Sequence, residues 1–169
     1  TMSNAKTFIA QLREAVWPLH EQLEKASPLA SVAQGTATRE GYGQALALLY
    51  GFVDPLEERI QHCLSQDPVA SRDLAPYHTD SWRRSQLLEK DLRFLYGSGY
   101  ALHELPRCCK LPQLDTRPQA LGSLYVLEGS RLGGQVIADA VRQSLGLTAS
   151  NGCTYFSGNG QDPGPVWRP

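Results

Sequence analysis

No long apolar run occurs in the sequence. Eighteen consecutive apolar residues are nowhere found among its 169 residues, which excludes a membrane-spanning helix within this sequence. The segment Thr1 to Lys6 has no apolar run leading to a small-residue cleavage site, so a cytoplasmic location is expected. Neither sign of charge is in excess: 16 Lys and Arg stand against 17 Asp and Glu, a formal net charge of −1. A nucleic-acid binder would show a basic stripe, and the longest basic cluster is the pair Arg83–Arg84. Alternating strand patterns of useful length and internal repeats are both lacking. Cysteine is sparse. Cys63, Cys108, Cys109 and Cys153 have neither zinc-site nor C-x-x-C spacing, and all four are expected as free thiols.

What is present is helical. Hydrophobic residues make up 41% of the chain, enough for one core, and residues 1–169 read as a single domain. Phe8, Ile9, Leu12, Val16, Leu19 and Leu23 recur at three- and four-residue steps and predict a first helix over 4–25, with Ser3 as its N-cap. Pro18 falls inside it, so the helix should kink there or restart near Trp17. Residues 27–37 read as a loop. A second helix should run from Thr38 to about Ser65 with Tyr42, Leu46, Leu49, Tyr50, Val53, Leu56, Ile60 and Leu64 on its core face, weakened by Gly41, Gly43 and Gly51 and bent at Pro55. A third spans Ser81 to Tyr96, stopped by Gly97. After a mixed connector, Thr116 caps a fourth helix with Pro118 near its start and Gly146 at its end. The tail from Thr148 onward is rich in Gly, Asn and Pro.

The fourth helix is the informative one, because it carries Gly122, Gly129, Gly133 and Gly134. Each mid-helix glycine costs ~1 kcal/mol relative to alanine, so four forgo roughly 4 kcal/mol, a large part of a domain's stability. Gly122, Gly129 and Gly133 fall on one face with Val126, bordered by Ser130 and Gly134. Such a face lets something approach the backbone closely. Close packing against another helix, a bend without a ligand, and a flat ligand lying on the backbone all satisfy the spacing.

On the first helix, Glu24 follows His20 by four residues. A carboxylate there can take the Nδ1 proton and leave Nε2 free for a metal. The same spacing also suits an ordinary surface pair. Arg13 lies two turns earlier on that face, where it could pair with a carboxylate at a ligand's edge. His62, His78 and His103 show no metal-ligand spacing.

Together these two segments resemble the heme oxygenase family. Residues 121–135, Leu-Gly-Ser-Leu-Tyr-Val-Leu-Glu-Gly-Ser-Arg-Leu-Gly-Gly-Gln, are similar to its distal-helix signature, closest to the bacterial, phytochrome-associated branch. Residues 13–24 look like its proximal helix, and the likeness covers about residues 5 to 167. The resemblance implies an all-α, multi-helical bundle with heme held between a proximal N-terminal helix and a kinked, glycine-rich distal helix. It implies oxidative ring opening of heme to biliverdin with release of carbon monoxide and iron. Heme is then both cofactor and substrate, with dioxygen and an external electron donor, a reductase or ferredoxin, and a bacterial phytochrome as bilin acceptor. Carried over by position, His20 is the axial iron ligand and Glu24 bonds its other ring nitrogen. Arg13 lies near a propionate, Tyr125 and Val126 line the heme, and Gly129, Ser130 and Gly133 form the catalytic distal wall.

Two departures stand out. Ser130 occupies the position of an aspartate in mammalian-type members, so proton delivery must use other groups. The chain stops at Pro169, where family members continue into a closing helix, so the expected domain lacks that element. A heme carrier of the same fold without turnover, and a helical scaffold for another ligand or a partner, are the alternatives.

Overall fold

Thr38 opens the helix on which the rest of the molecule packs. The computed structural model describes residues 2–26, 28–66 and 83–158 and, among these, every side chain except those of residues 2–9, 12, 13, 24 and 26. The Thr38 hydroxyl accepts the Gly41 N–H at 3.0 Å, satisfying one orphan donor of the first turn. The helix that follows, here α3, runs Arg39–Ser65 and buries Tyr42, Ala45, Leu46, Val53, Leu56, Ile60 and Leu64 along one stripe. Leu49 and Tyr50 are only partly buried. Two glycines that weaken this helix are there for close approach. A Cβ at Gly43 would run into the Tyr96 hydroxyl, and one at Gly51 into the Pro106 carbonyl. Gly51 also accepts the Cys108 N–H through its own carbonyl at 2.8 Å, tying the connector to α3.

Before α3 lie α1 (Met2–Ala26) and the short α2 (Leu29–Ala33); after it come α4 (Ser85–Tyr96), a 3-10 turn at Leu102–Glu104, α5 (Arg117–Leu145) and α6 (Thr154–Ser157). Among the described residues there is no strand, and the fold is all-helical as expected. Among them, too, no helix is long and apolar enough to cross a membrane. No disulfide joins any of the four cysteines. A core of Leu46, Ile60, Leu88, Leu92, Leu124, Val141 and Phe156 joins α3, α4, α5 and α6.

Several boundaries differ from the sequence-based expectation. Helix α1 already includes Ser3, which is therefore not its N-cap, and it continues through Pro18 without restarting. Proline removes one backbone donor but has a helical φ, so a helix carried by its neighbouring turns can absorb it. The expected loop at 27–37 contains α2, whose five residues are too few to show periodicity. The third helix starts at Ser85, with Arg84 as its N-cap; the expected start at Ser81 lies outside the described residues. Helix α5 matches its expectation closely. Thr116 and Gln119 form a reciprocal capping box, and Gly146 closes the helix in the left-handed conformation at φ +67°. Inside the Gly-rich tail, Thr148–Asn151 turn into α6, while residues 159–169 lie outside the described set.

Two buried carboxylates fasten the short pieces. Glu57 on α3 is fully buried and accepts the Arg84 N–H at 2.7 Å, the Ser85 N–H at 3.2 Å and the Ser85 hydroxyl at 2.7 Å. It thus does for α4 from a distance what an N-cap side chain does locally. Asp91, also buried, accepts the N–H groups of Thr154 and Tyr155 at 2.8 Å each and so seats α6. Burial pushes both carboxyls above the ordinary carboxylate range, against the pull of these hydrogen bonds.

Candidate functional site

Helix α5 has two dissimilar faces. Ala120, Leu124, Leu127, Gly134 and Val141 point into the core. On the other side Gly122, Val126, Gly129, Gly133 and Val136 follow one another at four- and three-residue steps, with Tyr125 and Leu132 alongside. Tyr125, Val126, Leu132 and Val136 are all more than half exposed. An exposed apolar stripe of this kind marks a surface that meets a partner or ligand.

The glycines divide along the same line. A Cβ at Gly134 would stand 3.2 Å from the Phe156 carbonyl oxygen, so Gly134 lets α6 sit close to α5. At Gly122, Gly129 and Gly133 a Cβ would meet no described atom within 4 Å beyond the helix's own backbone. Close helix packing therefore explains Gly134 but not the other three. Gly122→Ala is expected to raise stability by about 1 kcal/mol, the mid-helix difference between the two residues. Gly134→Ala should gain nothing, because the Phe156 carbonyl is already tight against it. Urea unfolding of the two variants checks this; an equal gain at Gly134 would refute the division of faces.

Helix α1 carries the other candidate residues. Val16, Trp17, Leu19 and Leu23 are exposed, at 47%, 48%, 66% and 67%, and His20 lies among them, itself exposed. The imidazole stacks on the Trp17 ring, with centroids 5.4 Å apart and planes 6° from parallel. Trp17 is held in turn, its Nε1–H donating to Glu21 Oε1 at 2.9 Å. Sequence reasoning missed Trp17 as an orienting group, although its place three residues before His20 puts the two rings on neighbouring positions of one face. Arg13 and Glu24 sit on α1 by backbone, and their side chains lie outside the described residues.

The structure thus gathers Tyr125, Val126, Gly129 and Gly133 on one face of α5, and places His20 in an apolar stripe of α1. It does not bring the imidazole within 4 Å of a Cβ at Gly129 or Gly133. The two helices are linked through α2, which packs on α1 at one side and on α3 and α5 at the other. An open groove of about 540 Å³ lies beside Val136, between residues 33–35 and the 136–144 stretch of α5.

Ser130 borders the exposed stripe and is itself exposed, but its hydroxyl is engaged on the inner side. Its hydroxyl donates to the Leu127 carbonyl at 2.7 Å and accepts from Arg84 Nη1 at 2.9 Å. Arg84, expected only as half of a short basic pair, is in fact 6% exposed and lies under α5.

Comparison with known proteins points to one family. The family model described as heme oxygenase matches residues 6–168. Among curated proteins, the chain is 31% identical over 165 residues to heme oxygenase 1 of Pongo abelii, and 29% identical over 165 residues to heme oxygenase 1 of Homo sapiens. Heme oxygenase 1 of Rattus norvegicus is 27% identical over 159 residues. Each alignment covers 86% of this chain and 53% of the relative, so the chain spans about half the length of the curated relatives it matches. No solved structure matches the chain at a significant level.

Proposed function

The chain belongs to the heme oxygenase family, and from that premise we propose that it binds heme between α1 and the glycine face of α5 and opens the ring to biliverdin, carbon monoxide and iron. The observation that supports this most is the stripe of α5 on which Gly122, Gly129 and Gly133 alternate with Val126 and Val136, with no described atom close enough to a Cβ at these glycines to require them. A porphyrin is flat, apolar and wide, and a side-chain-poor backbone wall flanked by Tyr125 and Leu132 suits its face. From α1, His20 would bring an imidazole nitrogen to the other face of the ring, out of the exposed stripe Val16, Leu19, Leu23.

His20 is the proposed axial ligand. Trp17 stacks on its ring and would limit its rotation, and Glu24, four residues on in sequence, would accept the second ring N–H and fix the tautomer. Arg13, seven residues before His20, would meet a propionate. Gly129 and Gly133 present backbone to the ring, and Tyr125 and Val126 bound it. Heme supplies the iron chemistry and is itself consumed; the protein binds, orients and excludes water. An electron-donating reductase or ferredoxin is required. The bacterial branch, and a bacterial phytochrome as bilin acceptor, rest on the resemblance of residues 121–135.

Titration of the purified protein with hemin tests the reading. A one-to-one complex with a sharp Soret band is expected, converting to a bilin spectrum when reductant and oxygen are added. A Soret band that persists unchanged under turnover conditions would exclude the enzyme and leave a carrier; the absence of any complex would exclude both.

A further inference from the structure

We infer that Arg84 is a positioning residue for the glycine helix: its guanidinium grips the turn Leu127–Ser130 from the buried side and holds the Gly129–Gly133 face in place. The inference rests on the reading of that face as the heme wall.

Arg84 stands where four elements meet. Its backbone N–H is held by Glu57 of α3, and it forms the N-cap of α4. From there Nη1 reaches α5, donating to the Leu127 carbonyl at 2.8 Å and to the Ser130 hydroxyl at 2.9 Å. Nη2 donates to the Tyr155 carbonyl of α6 at 3.4 Å, and the guanidinium lies 4.3 Å from the centroid of the Tyr155 ring. The neighbouring Arg83 takes the carboxylates, Asp54 at 2.6 Å and Glu57 at 3.6 Å. The described partners of Arg84 are instead carbonyls, a hydroxyl and a π-face. A buried cation satisfied in this way needs the planar fork of arginine; an ammonium is a point charge and cannot span the same acceptors.

The target of this grip matters. In a regular helix the Leu127 carbonyl accepts the Arg131 N–H. Here it also accepts from Arg84 and from the Ser130 hydroxyl, so that turn is shared between the helix ladder and the anchor. Gly129 lies inside the same turn and adds backbone freedom, and the restraint on it comes from beneath. Ser130 is spent on the anchor: it donates to Leu127 and accepts from Arg84. A hydroxyl has one proton and two acceptor sites, so Ser130 acts through helix position rather than as a proton donor to the bound ring.

Hydrogen exchange of the hemin-free protein, read by mass spectrometry, tests the anchor without relying on heme chemistry. In Arg84→Met, amides of residues 127–135 should exchange about tenfold faster or more, the effect of losing at least one net hydrogen bond, while residues 42–50 of α3 keep their wild-type rates. Arg84→Lys, which retains a charge and one donor, should fall between. Ser130→Ala should act in the same segment and add little to Arg84→Met, since both remove one anchor. Wild-type exchange at 127–135 in Arg84→Met, or acceleration spread evenly over the core, overturns the inference. If Arg84→Met fails to fold, Ser130→Ala alone decides, by local acceleration or its absence. Hemin titration of the wild type judges the heme reading separately.

Discussion

Hemin affinity is expected to fall at least about a hundredfold in His20→Ala, with loss of the sharp Soret band. Groups that merely orient a metal ligand are worth 10- to 100-fold in metal affinity, so removal of the ligand itself should reach or exceed the upper end. The rest of the ring would still meet an apolar surface, so residual, non-stoichiometric hemin uptake is expected to survive. The fold should survive as well, because His20 is exposed and contributes no core packing. Far-UV circular dichroism and a hemin titration on the same sample check both halves. Wild-type affinity in His20→Ala would mean that the imidazole is an ordinary surface group stacked on Trp17, and that the iron is held from elsewhere.

Gly133→Phe is the second variant with a large effect. A Cβ at Gly133 meets no described atom within 4 Å, so the described part of the hemin-free protein has room for a new side chain there. Phenylalanine is also a better helix former than glycine by a few tenths of a kcal/mol. Stability should therefore hold or rise slightly, while a ring projecting from the wall fills the space a porphyrin face would take. Bilin formation is expected to be lost, and hemin binding with it or greatly weakened. Thermal unfolding and turnover measured together separate this from simple misfolding. Full activity in Gly133→Phe would assign the glycine face to something other than heme.

The sequence made the long elements legible because their signals are local and repeated. Helix α3 shows its core stripe over seven turns, and α5 announces both ends through Thr116, Pro118 and Gly146. Short elements lack that redundancy. The five residues of α2 and the four of α6 cannot display a helical period, and both are held by long-range contacts, such as Asp91 to Thr154 and Tyr155. Of the two outcomes Pro18 allowed, a restart near Trp17 does not occur, because the turns around a local breaker carry the helix through it.

The candidate site divides in the same way. The glycine face of α5 follows directly from spacing, and the structure adds that Gly134 belongs to the α6 contact instead. Arg84 was illegible because its partners lie 43 to 71 residues away. No spacing along the chain encodes that meeting, and the pair Arg83–Arg84 gives no hint that one guanidinium is ion-paired at the edge of α3 while the other is buried under α5. Gly43 and Gly51, which weaken α3, have their reason in Tyr96 and Pro106, again remote in sequence.

Paramagnetic broadening in the ferric hemin complex measures the central geometry most directly. With the ring seated between the two helices, backbone amide signals around His20 on α1 and around Gly129 and Gly133 on α5 should vanish together, while those near Ile60 on α3 remain. Retention of either the His20 set or the glycine set, with broadening centred elsewhere, would contradict a heme held between these two surfaces.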